Sequence, residues 1–313
     1  MLGKALDSLI RGTGNELPAY LKEISANISL PKTQIKTHFY HVQLDGNGNN
    51  RVLDFIEFIA SRIVEYSIPR SEFEKARKYL NEHQSDAEFA KLRKKASELF
   101  VDVKNTGEGG EILLYILVQE YLRIPQLLCK MPLKTSTQMY YHGVDGIHAE
   151  YDSQSDMLAL YWGESKLYQN IGAGLKSCFD SLKEYLINPN TSTSPQHRDV
   201  ELIHDYLDLN DTKLQDAIVQ YFDRGNEKFN KVNYRGVCLV GFDSTLYPSN
   251  PNQLNSDSLN SIFLKEIEDW KTKIIENIET YDTLNSFIIH VFLIPFPSVE
   301  DFRLNFLKAI KIP

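Results

Sequence analysis

The sequence predicts an α/β protein, with a mixed central sheet flanked by helices and a helical N-terminal region ahead of it. Three observations carry this expectation. Runs dense in apolar and β-branched residues (MLALYWGESKL, YRGVCLVGF, SFIIHVFLI) are separated by segments whose apolar residues recur at helical spacing. The polar turn Asp152 to Asp156 joins GIHAEYD to MLALYWGESKL as a strand hairpin. From Arg51 to about Glu98, LDFIEFIASRIVEY and, after Pro69, SEFEKARKYL and AEFAKLRKKASELF are helical throughout.

Each later element follows in order. Gly107 to Arg123 reads as a mostly apolar helix, and QLLCKMPL after Pro125 as a short strand. Tyr168 to Leu186 returns to helical periodicity. The loop NPNTSTSPQ then precedes helices from about Asp199 to Phe229. A long helix from about Asp257 to Ile278 separates the last two strands, and a closing helix starts at Val299. We therefore expect residues 1–100 to be a separate helical layer for partner docking or autoinhibition. Residues 101–313 would form the functional domain, with a helical insertion at about 196–230.

A chain of 313 residues with 42% hydrophobic content can bury a large core. Its net charge of -8 argues against a free-standing, sequence-indifferent DNA binder, whose affinity comes mostly from Lys and Arg on phosphates. Cys129, Cys178 and Cys238 are scattered and lack CxxC spacing, so reduced thiols are expected rather than disulfides or zinc. With no apolar h-region and no run of about 20 apolar residues, the expected location is the cytoplasm.

The chemistry concentrates in WGESKLY. Glu164 and Lys166 lie two residues apart on a strand, so both leave one face while Ser165 points to the other. Asp145, in HGVDGIH, begins the partner strand, where the hairpin can bring it beside Glu164. Two carboxylates suit a hard divalent ion. Magnesium, with manganese as a substitute, would take them together with a backbone carbonyl near Ser165 and a scissile phosphate. The ion would lower the pKa of an attacking water, and Lys166 would orient or help deprotonate that water and offset charge on the phosphate. A further carboxylate, Glu111, opens the helix GEGGEILLYILVQEYL and is expected to complete or support the metal site ahead of Glu108.

These residues resemble the PD-(D/E)xK nucleases, whose core is a Glu-bearing helix, three strands carrying Asp and Glu-x-Lys, another helix and a further strand. The eponymous Pro-Asp pair is here Val144-Asp145. More narrowly, GEGGEILLY, HGVDGIH, WGESKLY and HVFLIPFPSVEDFRLNF resemble the HamA family, the nuclease subunit of Hachiman anti-phage defence, over roughly residues 100 to 313. The resemblance implies a restriction-endonuclease-like core and a metal-dependent DNase. It also implies a superfamily-2 DNA helicase partner, HamB, that restrains and triggers cleavage. Glu111, Asp145, Glu164 and Lys166 carry over as catalytic residues, and the first three of these as metal ligands. The other classes open to such a chain are a non-catalytic nuclease-fold DNA-binding or assembly subunit and a site-specific restriction endonuclease.

Other signals have plainer readings. Lys134 at the end of the short strand can face a phosphate or merely protect an edge. Tyr168 and Gln169 open a helix that can border DNA. DGNGNN at Asp45 to Asn50 fits a Gly/Asn turn better than a calcium loop. His38, His41, His142 and His148 lack a zinc-site context. KLRKK, interleaved with Glu88 and Glu98, suits a solvated helix.

Overall fold

Seven strands form one mixed sheet in a computed structural model that describes residues 2–100, 107–134, 144–187, 194–281 and 283–311. In chain order they are β1 (Leu21–Ser29), β2 (Ile35–Val42), β3 (Gln126–Leu128), β4 (Gly146–Asp152), β5 (Met157–Tyr168), β6 (Val232–Asp243) and β7 (Ile289–Phe296). Their spatial order is β1-β2-β7-β6-β5-β4-β3. The inner run β2, β7, β6, β5 is parallel, and β1, β4 and β3 attach antiparallel at its flanks. Every residue of β7 is buried, as expected for a parallel strand covered on both faces, which explains why IHVFLIPF reads as an unbroken apolar run.

The hairpin, the helix Ile171–Leu186, β6, the helix Ile267–Ile278, β7 and the closing helix Val299–Ile310 stand where the sequence pattern puts them. So do the helices Pro195–Tyr206 and Thr212–Val219. Among the described residues no helix is long and apolar enough to cross a membrane.

The N-terminal third departs from expectation. It is not a purely helical layer, because it supplies β1 and β2, and β2 pairs with β7 from Ile35↔Ile289 to Phe39↔Leu293. A strand hydrogen-bonded into the central sheet shares its core: Ile35 and Phe39 are fully buried, and the Phe39 ring lies 5.9 Å from that of Trp270. The remainder of this third is helical, at Val52–Ser61, Ile63–Ser67, Arg70–His83 and Ala87–Glu98. The other correction concerns QLLCKMPLK: the strand ends at Leu128, and Lys134 closes a helical turn, Met131–Lys134.

Because β2 belongs to the common core, Phe39→Ala is expected to cost about 3–5 kcal/mol of global stability. Urea unfolding followed by two probes should show one shifted transition. A loss confined to a minor early transition would mean that residues 1–50 fold apart from the sheet.

Candidate active site

β5 is twelve residues long, but β4 accompanies only its first part. Pairing starts at Gly146↔Gly163, so Glu164 to Tyr168 have β6 on one side and no β4 residue on the other. Just before β4 begins, the Asp145 N–H donates to the Gly163 carbonyl at 2.8 Å. The Asp145 carboxylate then turns back onto β5 and accepts both the Ser165 N–H at 2.8 Å and the Ser165 hydroxyl at 2.7 Å. A side chain thus takes the strand N–H that β4 leaves unpaired.

The alternation of β5 sorts the other groups by face. Ser165 and Leu167 face the helix Glu108–Ile116. A Cβ on Gly110 would stand 3.1 Å from the Ser165 Oγ and 3.2 Å from Leu167, a tight fit that glycine relieves where the helix starts close to the strand. Glu111 follows on that helix and accepts a hydrogen bond from the Tyr66 hydroxyl at 2.7 Å, while the Asp145 carbonyl lies 3.3 Å from the same hydroxyl. Burial, then the charges of Glu111 and Asp145, push the Tyr66 phenol well above its usual range.

Glu164 and Lys166 leave the opposite face, toward the helix Ile171–Leu186, as does Trp162, whose ring is 5.2 Å from that of Tyr185. The Lys166 Nζ is 2.5 Å from Glu164 Oε1. Burial works to lower the Lys166 pKa, but Glu164 and then Asp145 outweigh it and hold the ammonium above its ordinary range. Lys166 therefore stands as a cation beside Glu164, suited to neutralising developing charge. The Cys178 thiol donates to the Glu164 carbonyl at 3.4 Å, and all three cysteines are free thiols.

The structure thus brings Asp145 within electrostatic reach of Lys166 on one side and of Tyr66 on the other. It does not gather Glu111, Asp145 and Glu164 around one point: among the described residues no three Asp, Glu, His or Cys side chains group as a metal site. Asp145 is the member common to both faces. Glu108 shares the first turn with Glu111. The donors fit a hard cation, since magnesium is commonly held by only one or two carboxylates, keeping waters and taking substrate phosphate for the rest.

Past Lys166 the end of β5 opens into a groove of about 1020 Å³, bordered by Tyr168, Gln169, Asn170, Arg303 and Leu304. Asn170 caps the helix Ile171–Leu186 by accepting the Ala173 N–H at 3.0 Å. Arg303 donates to the Leu167 carbonyl, and its Nε has no hydrogen-bond partner. Sequence reasoning missed Arg303, Tyr66 and the Ser165 contact. It weighed Lys134 but not Lys130, the lysine buried beside Val144, 3.0 Å from that residue's carbonyl.

The remaining signals are structural. Asp45 accepts the N–H groups of Asn47 and Asn49 at 2.8 Å, closing a local turn. His38 packs on His290, 2.9 Å apart at Nε2 and Nδ1, and burial holds their pKa values near 3 and 4. His41 and His148 are also buried against backbone carbonyls, and His142 lies outside the described residues. Lys91 and Lys95 pair with Glu88 and Glu72 on exposed helix surface.

These features define an α/β protein with an acid-and-lysine cluster where a hairpin opens at the end of its central strands. A sequence profile of the HamA family matches residues 18–310, nearly the whole chain, and the chain belongs to that family, of the Hachiman anti-phage defence system. The match includes β1 and β2, in keeping with their place in the sheet. No curated protein matches the chain at a significant level.

Tyr66→Phe should cost about 1–3 kcal/mol, because it withdraws a buried donor from the Glu111 carboxylate. Chemical denaturation measures this. A change below about 0.5 kcal/mol would show that the hydroxyl does not hold Glu111.

Proposed function

We propose that the chain is a divalent-metal-dependent DNA nuclease of the PD-(D/E)xK class, serving as the effector of its defence system. The observation that carries this reading is the pairing at the open end of β5. Asp145 is fixed on Ser165 and Glu164 is paired with Lys166, and Ser165 and Lys166 line the groove, so the two carboxylates and the lysine stand next to it. A buried strand tolerates such charges only when they are paired or bound to a metal, and a nuclease site needs both arrangements in turn.

Asp145 and Glu164 would hold magnesium, with manganese as a substitute. Glu111 would support Asp145 from the other face, through Tyr66. The ion supplies a water of lowered pKa and charge stabilisation at the phosphate. The chain does the rest: Ser165 fixes the Asp145 carboxylate, and Lys166 is released from Glu164 toward the phosphate charge. Arg303 and Gln169 line the path of the bound strand.

The net charge of -8 supports control by a partner, since an acidic chain is poorly suited to gripping phosphate backbones by general electrostatics. A DNA helicase partner of the HamB type would deliver the substrate and restrain cutting.

To test this, the chain is purified with and without the helicase, given magnesium and helicase-translocatable DNA, and compared with Glu164→Ala and Lys166→Ala. Each substitution is expected to lower cleavage by about a hundredfold or more. Equal activity in all three proteins would remove the catalytic assignment and favour a non-catalytic assembly subunit.

A further inference from the structure

We propose that Lys130, Asp199 and Tyr185 form a buried clamp on the backbone of Val144 that positions Asp145, so that the helix Pro195–Tyr206 governs the acid of the site. The consequence for metal binding rests on the nuclease reading, whereas the clamp itself does not.

Lys130 and Asp199 are 3% and 0% exposed, which makes them a costly pair to keep in a protein interior. The Lys130 Nζ lies 3.1 Å from Asp199 Oδ2 and 3.3 Å from Oδ1, and it donates to the Val144 carbonyl at 3.0 Å. From the other side, the Tyr185 hydroxyl oxygen accepts the Val144 N–H at 3.0 Å. The next residue is held as fully, with the Asp145 N–H on the Gly163 carbonyl and the Asp145 carbonyl beside the Tyr66 hydroxyl.

All four backbone polar groups of Val144 and Asp145 are therefore bound, three of them by buried side chains. Those side chains come from the helix Ile63–Ser67, the turn after β3 and the helix Ile171–Leu186, with Asp199 locking the lysine from a fourth segment. Plain packing asks for none of this, since a hydrophobic pair of the same volume would fill the space at less cost. A neutral donor would also hold the carbonyl less tightly than an ammonium. Burial raises the Asp199 carboxyl to about 6, and Lys130 opposes that rise.

The double variant Lys130→Met/Asp199→Leu in the full chain separates positioning from packing. Removing both charges at similar volume should keep Tm within about 5 °C of the parent. The Val144 carbonyl still loses its donor. The Asp145 amide should then exchange about five- to tenfold faster in hydrogen–deuterium exchange. Manganese affinity by calorimetry should fall about 10–100-fold, as when a metal ligand loses its support. Parent-like exchange and parent-like affinity in the folded double variant would overturn the proposal. If the double variant does not fold, Tyr185→Phe, which frees the Val144 N–H, takes its place with the same two outcomes. If the parent itself binds no manganese, the nuclease reading fails, and the exchange rate alone decides the clamp.

Discussion

A single unpaired N–H organises this molecule's site. β5 outruns β4, and the strand edge exposed at Ser165 would be a buried or half-buried donor without a partner. The Asp145 carboxylate takes that donor and the hydroxyl beside it. This one contact sets where the chain enters β4 and how the hairpin opens. It also sets which side chains of β5 stand beside an acid. Because β6 pairs in parallel with β5 from Leu158 to Tyr168, the end that β4 leaves remains a regular strand, and Glu164 and Lys166 keep a common face.

The sheet then divides the labour between its two sides. On one, Gly110 brings the helix Glu108–Ile116 against Ser165, and Tyr66 connects Glu111 to the backbone of Asp145. On the other, the helix Ile171–Leu186 backs Glu164 with Cys178 and reaches Val144 with Tyr185. Asp145, together with its neighbour Val144, is held from both sides. Its carboxylate is thus a rigid acceptor, while the Glu164–Lys166 pair, with Lys166 only half-buried at the groove, is the part that can exchange its internal ion pair for a metal and a phosphate.

Much of this was legible in the residues. The polar turn of the hairpin, the apolar run ahead of Glu-x-Lys and the helical periodicity of the later helices mark these elements, and two-residue spacing is enough to place Glu164 and Lys166 on one face. The strands of the N-terminal third were not legible. LKEISANIS is a polar edge strand with register shifts, and IKTHFYHV mixes lysine and histidine into a buried strand, so neither alternates cleanly. The pattern also could not assign faces across elements. Glu111 was expected to complete or support the metal site, and nothing in the sequence marks Tyr66, whose hydroxyl bonds Glu111 and lies beside the Asp145 carbonyl. Lys130 escaped notice because nothing local marks a buried lysine whose partner, Asp199, is far along the chain.

The account turns on Asp145 and Glu164 sharing one ion beside Lys166. Anomalous diffraction from crystals of the full chain soaked in manganese tests this most directly. The account predicts one peak within coordination distance of both carboxylates, lost in Glu164→Ala. A manganese ion bound elsewhere, with these carboxylates still on Ser165 and Lys166, would contradict it.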